Sequence, residues 1–474
     1  MRNALLVALL VVGGCSSSSS RSSSHVADPL VTGLRVTQVF AYQGLRAMLV
    51  KDGRPVEPEV PLIQGRPTML RVFLTPDAGW DGREVIVRLS LNANGTALPP
   101  IDVHRTLTVA STEPDLASTA NFDLTSDQVT ADLTWSVSLH EVTPGLQPAV
   151  AEGAVYPTEG AAALGAKDTG VGEKIVVIPI QYNADGSGRL PDTSPAQLER
   201  LRARMMALYP VKKVDITVVA PLPWSQAVKA NGSGWSSLLQ AVIDQRQKDG
   251  VPSNVYYYGM FSPAASMASY CGKGCVAGLS PVLASPDDEY GRGSIGLGFA
   301  DKIAEADVTF VHEVGHAHGR NHAPCEVMDA DQSYPYDGGT IGDWGYDFAT
   351  KTLLDPAGKM RDMMGYCSPV WISDYTYKAL FDRVTYLNQV PQTLVTPRRW
   401  RSVLVEDGHA TRGEVVAVRQ AGGIERTVER TLADETVDQV PVRYYPFDHL
   451  PGGLLLVPED ADLGTLRFDG QIIH

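Results

Sequence analysis

His312-Glu313-Val314-Gly315-His316-Ala317-His318-Gly319-Arg320-Asn321-His322 is the stretch that organises the chain. The pattern from Ala304 to His318 predicts a helix. His312 and His316, four residues apart, then project from one face and can grip one ion. Glu313 lies beside that face. Gly319 supplies a residue able to take positive φ, which ends the helix and turns the chain back. His322 can then swing round as a third nitrogen ligand. Three neutral imidazoles leave one position open for water, the pattern of a catalytic Zn²⁺ site rather than a closed structural one. With ten histidines in 474 residues, these five fixed positions fall together by chance in roughly one such chain in 10⁵. His318 lies two residues past His316, about 200° round the helix, and cannot join the same ion. It reads as a surface or supporting residue.

Working outward, the segment before the motif alternates strands and helices. Lys174-Ile-Val-Val-Ile-Pro-Ile180, Val214 to Ala220 and Asn254 to Met260 read as strands, with Cys275 to Ser280 and Gly293 to Phe299 as short ones. Leu198, Leu201, Met205 and Leu208 recur at helical spacing behind the helix start Ser194-Pro195. Trp235 to Lys248 reads as a second helix closed by Gly250. This alternation predicts a layered α/β domain over 174–395. Residues 29–153 differ. Leu34 to Ala41, Met69 to Leu74, Val85 to Ser90 and Leu133 to Leu139 alternate with period two between turn signals such as Asp52-Gly53 and Asn94-Gly95. They predict a β-sandwich, joined to the α/β domain by a Gly/Ala-rich linker, 154–173. From 396 to 474 short strands return as a small C-terminal β module.

The first residues read as an export signal. Arg2 precedes the apolar run Ala4 to Val12, too short to span a bilayer. Val12-Gly13-Gly14-Cys15 resembles a bacterial lipobox. The resemblance implies removal of 1–14, acylation of Cys15, and a bilayer anchor at the outer membrane or cell surface. The serine-rich stretch 15–28 is the expected tether. The balance of 40 Lys+Arg against 54 Asp+Glu, net charge -14, argues against nucleic acid as a partner. Oligomeric state is not readable. Five cysteines become four once Cys15 is used by lipid, and three pairings are then possible. Cys271 with Cys275, closing a Gly-Lys-Gly loop, and Cys325 with Cys367 are the favoured pairs. Asp329, Asp331 and Asp337 form a loose acidic group, and a Ca²⁺ site there matches no compact loop.

The motif matches the long zinc-binding signature of the metzincin metallopeptidases at every fixed position. Asp362-Met363-Met364-Gly365-Tyr366-Cys367 resembles that family's methionine-bearing turn. Met364 is assigned as the turn methionine because a tyrosine follows two residues on, as in astacin-like members; Met363 is the alternative. The resemblance covers about Lys174 to Gln392. It implies an α/β metzincin-like catalytic domain there; the β-sandwich and the small β module, read from their own patterns, lie outside it, so the expected chain is multidomain. The runs Tyr334 to Tyr346 and Trp371 to Tyr377 are similar to secreted bacterial metzincins, a group that includes mucin-cleaving enzymes. Ala323 departs from several animal families, which carry an acidic or polar residue there.

By this resemblance His312, His316 and His322 hold Zn²⁺, and Glu313 is the general base for hydrolysis of protein or glycoprotein substrates. Tyr366 donates to the oxyanion or serves as a displaceable fifth ligand. Cys275 to Ser280 resembles the edge strand onto which substrates add by main-chain pairing. The rival reading is an adhesin lipoprotein with a non-catalytic zinc scaffold, which would have no need of Glu313. A hydrolase acting on something other than peptides is a weaker third.

Overall fold

A computed structural model describes residues 29–142, 152–272, 274–389, 396–459 and 464–474. The expected signal, Cys15 and the serine tether lie outside the described residues. The architecture is β-rich, with three regions built around separate sheets. Among the described residues no helix is long and apolar enough to cross a membrane.

The N-terminal region carries a five-stranded and a six-stranded sheet. Their apolar alternate positions meet in one core. In strand Glu84–Ala93, Val85, Val87, Leu89 and Leu91 are buried while the residues between them are more exposed, the period-two consequence of a pleated strand with one dry face. The stretch read as a linker is instead packed onto this unit. Val155–Tyr156 and Ala162–Ala163 add to strand Thr134–Glu141, and Tyr156 stacks on Trp135.

The middle region holds a mixed sheet. Strands Val214–Val218, Glu173–Tyr182, Val255–Phe261 and Gly293–Leu297 run parallel, and Gly278–Leu279 closes one edge antiparallel. Val255–Phe261 and Gly293–Leu297 are buried at every position, as expected where helices cover both faces. Helix Pro195–Leu208 starts behind Ser194, whose hydroxyl accepts from the Gln197 N–H. Helix Trp235–Asp249 ends at Gly250 with φ 60°. Beyond the sheet lie two small two-stranded sheets and helix Asp374–Gln389.

Arg398 to Ile472 form a seven-stranded antiparallel sheet. Both flanking regions share cores with the middle one. The N-terminal core runs into the back of the motif helix through Phe310, Val311 and Val314. Trp400, Leu404, Val416, Tyr445, Phe447 and Leu454 pack with helix Trp235–Asp249 through Leu239, Val242 and Ile243.

Candidate active site

The motif helix spans Ile303–Ala317 and is buried from Phe310 onward. Gly319, at φ 82°, turns the chain directly after it. A Cβ there would lie 2.3 Å from the Leu283 carbonyl oxygen, so only glycine fits. The return brings His322 to within 4.6 Å of the His316 ring and 5.5 Å of the His312 ring, between centroids.

Hydrogen bonds fix the tautomers. His312 Nδ1 lies 2.7 Å from the Met363 carbonyl oxygen, and His316 Nδ1 lies 2.6 Å from that of Arg320. A carbonyl oxygen can only accept, so both Nδ1 atoms carry hydrogen. Both Nε2 atoms of the neutral rings are therefore bare lone pairs, and they face each other at 3.0 Å. Burial pushes the pKa values of both imidazoles well below the ordinary value, with neighbouring histidines adding to the effect, so the rings stay neutral. Two buried lone pairs at this distance repel unless a cation lies between them. The donor set fits a metal ion bound through nitrogen.

The methionine turn packs beneath this helix. A Cβ on Gly315 would lie 2.6 Å from Met364 Sδ, so this glycine admits the sulfur against the backbone. The Asp362 carboxylate accepts from the Met364 and Ser373 N–H groups, each at 2.8 Å, which fixes the turn. Cys325 and Cys367 form a disulfide, as do Cys271 and Cys275. The first of these joins the segment after His322 to the turn. Main-chain bonds from Ala323 N–H to the Met364 oxygen and from Tyr366 N–H to the Cys325 oxygen reinforce it, each at 3.0 Å.

Glu313 sits under the edge strand. A Cβ on Gly278 would lie 2.2 Å from Glu313 Oε1, so a glycine is what lets the strand pass over the carboxylate. Glu313 Oε2 is buried without a hydrogen-bond partner. Burial first, and the Asp448 carboxylate second, push the Glu313 pKa well above the usual carboxylate range.

Two residues of this site were not foreseen from the sequence. Asp448 and His449 come from the C-terminal sheet, at the turn between strands Val437–Pro446 and Gly453–Pro458. His449 Nε2 lies 3.0 Å from Glu313 Oε1 and 3.1 Å from Asp448 Oδ2. Its Nδ1 contacts the Tyr366 hydroxyl. Asp448 Oδ2 is 3.4 Å from His316 Nε2. Burial alone would lower the His449 pKa, but the Asp448 and Glu313 carboxylates more than offset it and raise it to about 9. Nitrogens of His312, His316, His322 and His449 all lie within 4.8 Å of one another. Nothing in the turn's own sequence marks it, since a single His next to an Asp in a hairpin is ordinary surface chemistry.

The remaining expectations resolve differently. His318 is not at the surface. It is fully buried, with Nδ1 on the Val314 carbonyl at 2.8 Å, Nε2 3.3 Å from Glu173, and its ring stacked on Tyr256. Its main-chain N–H still bonds to the Val314 oxygen at 3.0 Å, and the helix face that carries it is covered by Glu173 and Tyr256 of the sheet rather than by solvent. Tyr366 is 49% exposed, with its hydroxyl 3.4 Å from His322 Nε2. Asp329, Asp331 and Asp337 do not converge. Asp329 lies 3.4 Å from His322 Nδ1, Asp331 accepts from Tyr375, and Asp337 sits in a separate short 3₁₀ turn.

No curated protein matches the chain. Residues 279–378 match the family model Peptidase M66. That segment holds the histidine motif, the methionine turn and the Cys325–Cys367 disulfide, while Asp448 and His449 lie beyond it. The match supports a metallopeptidase, with the metal, usually zinc, and the protein substrate that such an activity implies.

Proposed function

We propose that this chain is an exported zinc endopeptidase of metzincin type, anchored to the outer membrane or cell surface by acylated Cys15. It hydrolyses peptide bonds in proteins or glycoproteins. The observation that carries the reading is the pair of buried, unprotonated Nε2 atoms of His312 and His316 facing each other at 3.0 Å, with Glu313 alongside. His312, His316 and His322 would hold the ion, and Met364 would floor it. A Zn²⁺ bound there supplies Lewis acidity to the scissile carbonyl and lowers the pKa of water. The chain's own groups do the rest. Glu313 accepts a proton from the attacking water and passes it to the leaving amine. The outer edge of Gly278–Leu279 offers main-chain groups for an extended substrate. Tyr366, partly exposed, can donate to the developing oxyanion.

Metal analysis combined with cleavage of a denatured protein and of a mucin-type glycoprotein tests this. Glu313→Ala should retain zinc and lose about a thousandfold or more of its activity. His316→Ala should lose zinc as well. Full activity in Glu313→Ala would sink the mechanism. Wild-type protein that binds zinc but cleaves neither substrate would favour the adhesin scaffold.

A further inference from the structure

We propose that the turn Pro446–Gly452 occupies the cleft as a built-in substrate mimic, with His449 as a fourth protein nitrogen on the metal. The inference rests on the peptidase reading and adds a latent state to it.

Backbone geometry comes first. Gly278–Leu279 pairs on its inner side with Gly293–Leu297, Leu279 opposite Ile295, and Leu297 N–H donates to the Ala277 oxygen. Odd-numbered residues here bond inward. Even-numbered ones therefore present N–H and C=O to the outer edge, where an extended peptide would add. Just past Leu279 that outer edge is already taken. The Ser280 oxygen accepts from Asp448 N–H and Val282 N–H donates to the Pro446 oxygen, each at 3.1 Å, and Pro281 bridges Phe447 antiparallel. The Asp448 side chain also accepts from Ser280 N–H at 3.0 Å. The turn thus lies as an added antiparallel strand, running toward Glu313.

The side chain comes second. The His449 ring centroid lies 5.3, 5.6 and 5.0 Å from those of His312, His316 and His322. It covers the face that three-histidine coordination leaves open. Its Nε2–H donates to Glu313 Oε1, the atom needed for proton transfer, so the nitrogen left for the metal is Nδ1, which would give up its proton to the ion. The turn walls both halves of the cleft, through His449 on one side and through Pro446, Phe447 and Asp448 on the other. A hollow of about 360 Å³ bounded by Gly278, Thr309 and Tyr366 lies on one side. Another of about 530 Å³ bounded by Val282, Gly319 and Asp329 lies on the other. The turn is held from behind by Tyr445, Phe447 and Leu454 in the shared core.

The test uses full-length protein loaded with Zn²⁺, with ligands counted by X-ray absorption at the zinc edge. A second measurement is calorimetric titration of acetohydroxamate, a small chelator that needs an open metal position. Four imidazoles are expected in the wild type. His449→Ala should show three imidazoles and an oxygen, bind acetohydroxamate at least tenfold more tightly, and cleave denatured protein at least tenfold faster. The wild-type count stands by itself if the variant does not fold. Three imidazoles and an oxygen in the wild type would overturn the proposal while leaving the peptidase reading intact. A large loss of cleavage in His449→Ala with zinc retained would also overturn it, making His449 a catalytic donor. Failure of the wild type to take up zinc would defeat both.

Discussion

Two β regions flank the middle of the molecule, and from their patterns alone they look interchangeable. Both are antiparallel, both alternate apolar and polar residues, and both merge their cores with the middle region. Their relation to the histidine cluster is opposite. The N-terminal region meets the far side, where Trp371 donates to the Gly44 oxygen at 3.0 Å and Leu45 bridges Gly345. The C-terminal region reaches the near side and puts Asp448 and His449 among the histidines. The difference lies in one hairpin turn. A module's contribution to a site depends on which of its turns faces the cleft, and strand periodicity says nothing about that.

The largest effects should come from matched cavities in the two cores. Leu89 and Leu454 are both fully buried. Truncating either to alanine should cost about 2–5 kcal/mol, read from denaturation midpoints. Only Leu454→Ala should also disturb the metal site. Leu454 pairs with Leu404 and Tyr445, directly behind the turn that carries His449. Leu89→Ala should leave zinc coordination and acetohydroxamate affinity unchanged. Equal disturbance of the site by both variants would erase the contrast.

The same contrast marks where the sequence could be read and where it could not. The motif helix, the glycine turn after it and the two disulfides depend on residues close along the chain, or on chemistry that few residue types can perform. Gly319 is forced by φ and by the Leu283 carbonyl, and both demands are local. Placement of Cys325 by Cys367 follows from the chain returning under the motif helix. His449 is 127 residues beyond His322 (449 − 322). It arrives only because helix Trp235–Asp249 docks the C-terminal sheet at one angle, and no short-range pattern encodes a docking angle. Of the two readings of His318, surface or supporting, the surface one fails for a related reason. Its side chain is turned inward by Glu173 and Tyr256, residues of strands that come earlier in the chain. The segment 154–173 looked like a linker because glycine and alanine leave little hydrophobic signal. Ala154, Leu164 and Ala166 are buried all the same.

A somewhat smaller effect tests whether the N-terminal region is silent. Arg66 is buried, and its guanidinium donates to the Met206, Ala207 and Tyr209 carbonyls at the end of helix Pro195–Leu208. It supplies partners for the orphan carbonyls of a helix C-terminus. Arg66→Ala should cost about 3 kcal/mol, since charge-assisted bonds are lost and buried acceptors are left bare. A route toward the site exists, because the Tyr209 hydroxyl donates to the Val311 oxygen at 2.7 Å, one residue before His312. We expect kcat/KM of the folded variant to stay within about twofold of wild type, since the helix is also held by its core. A tenfold loss at unchanged zinc content would show that the N-terminal region does reach the catalytic residues.

The smallest effect concerns how the C-terminal region is docked, and its sign depends on pH. Asp244 lies on helix Trp235–Asp249 at the seam with that region. Burial, reinforced by Glu414 and opposed by Lys248, raises its pKa to about 6. An unfolded aspartate titrates near 3.9. The folded protein therefore holds this proton more tightly. The group's stabilising contribution is complete below about pH 4 and is lost as pH rises through 6. At pH 7.5 the buried charge should cost roughly 2–3 kcal/mol. Asp244→Asn removes that charge and should gain about this much at pH 7.5 and almost nothing at pH 4, measured as the difference from wild type at each pH. Asp102 on the N-terminal region is the counterpart. The hydrogen bond from Arg88 holds its carboxyl below the usual range, so Asp102→Asn should be slightly destabilising at neutral pH, with the loss fading in acid. If the two asparagine variants showed the same sign at pH 7.5, burial of the seam around Asp244 would be wrong. The docking that carries His449 into the cleft would then lose its support.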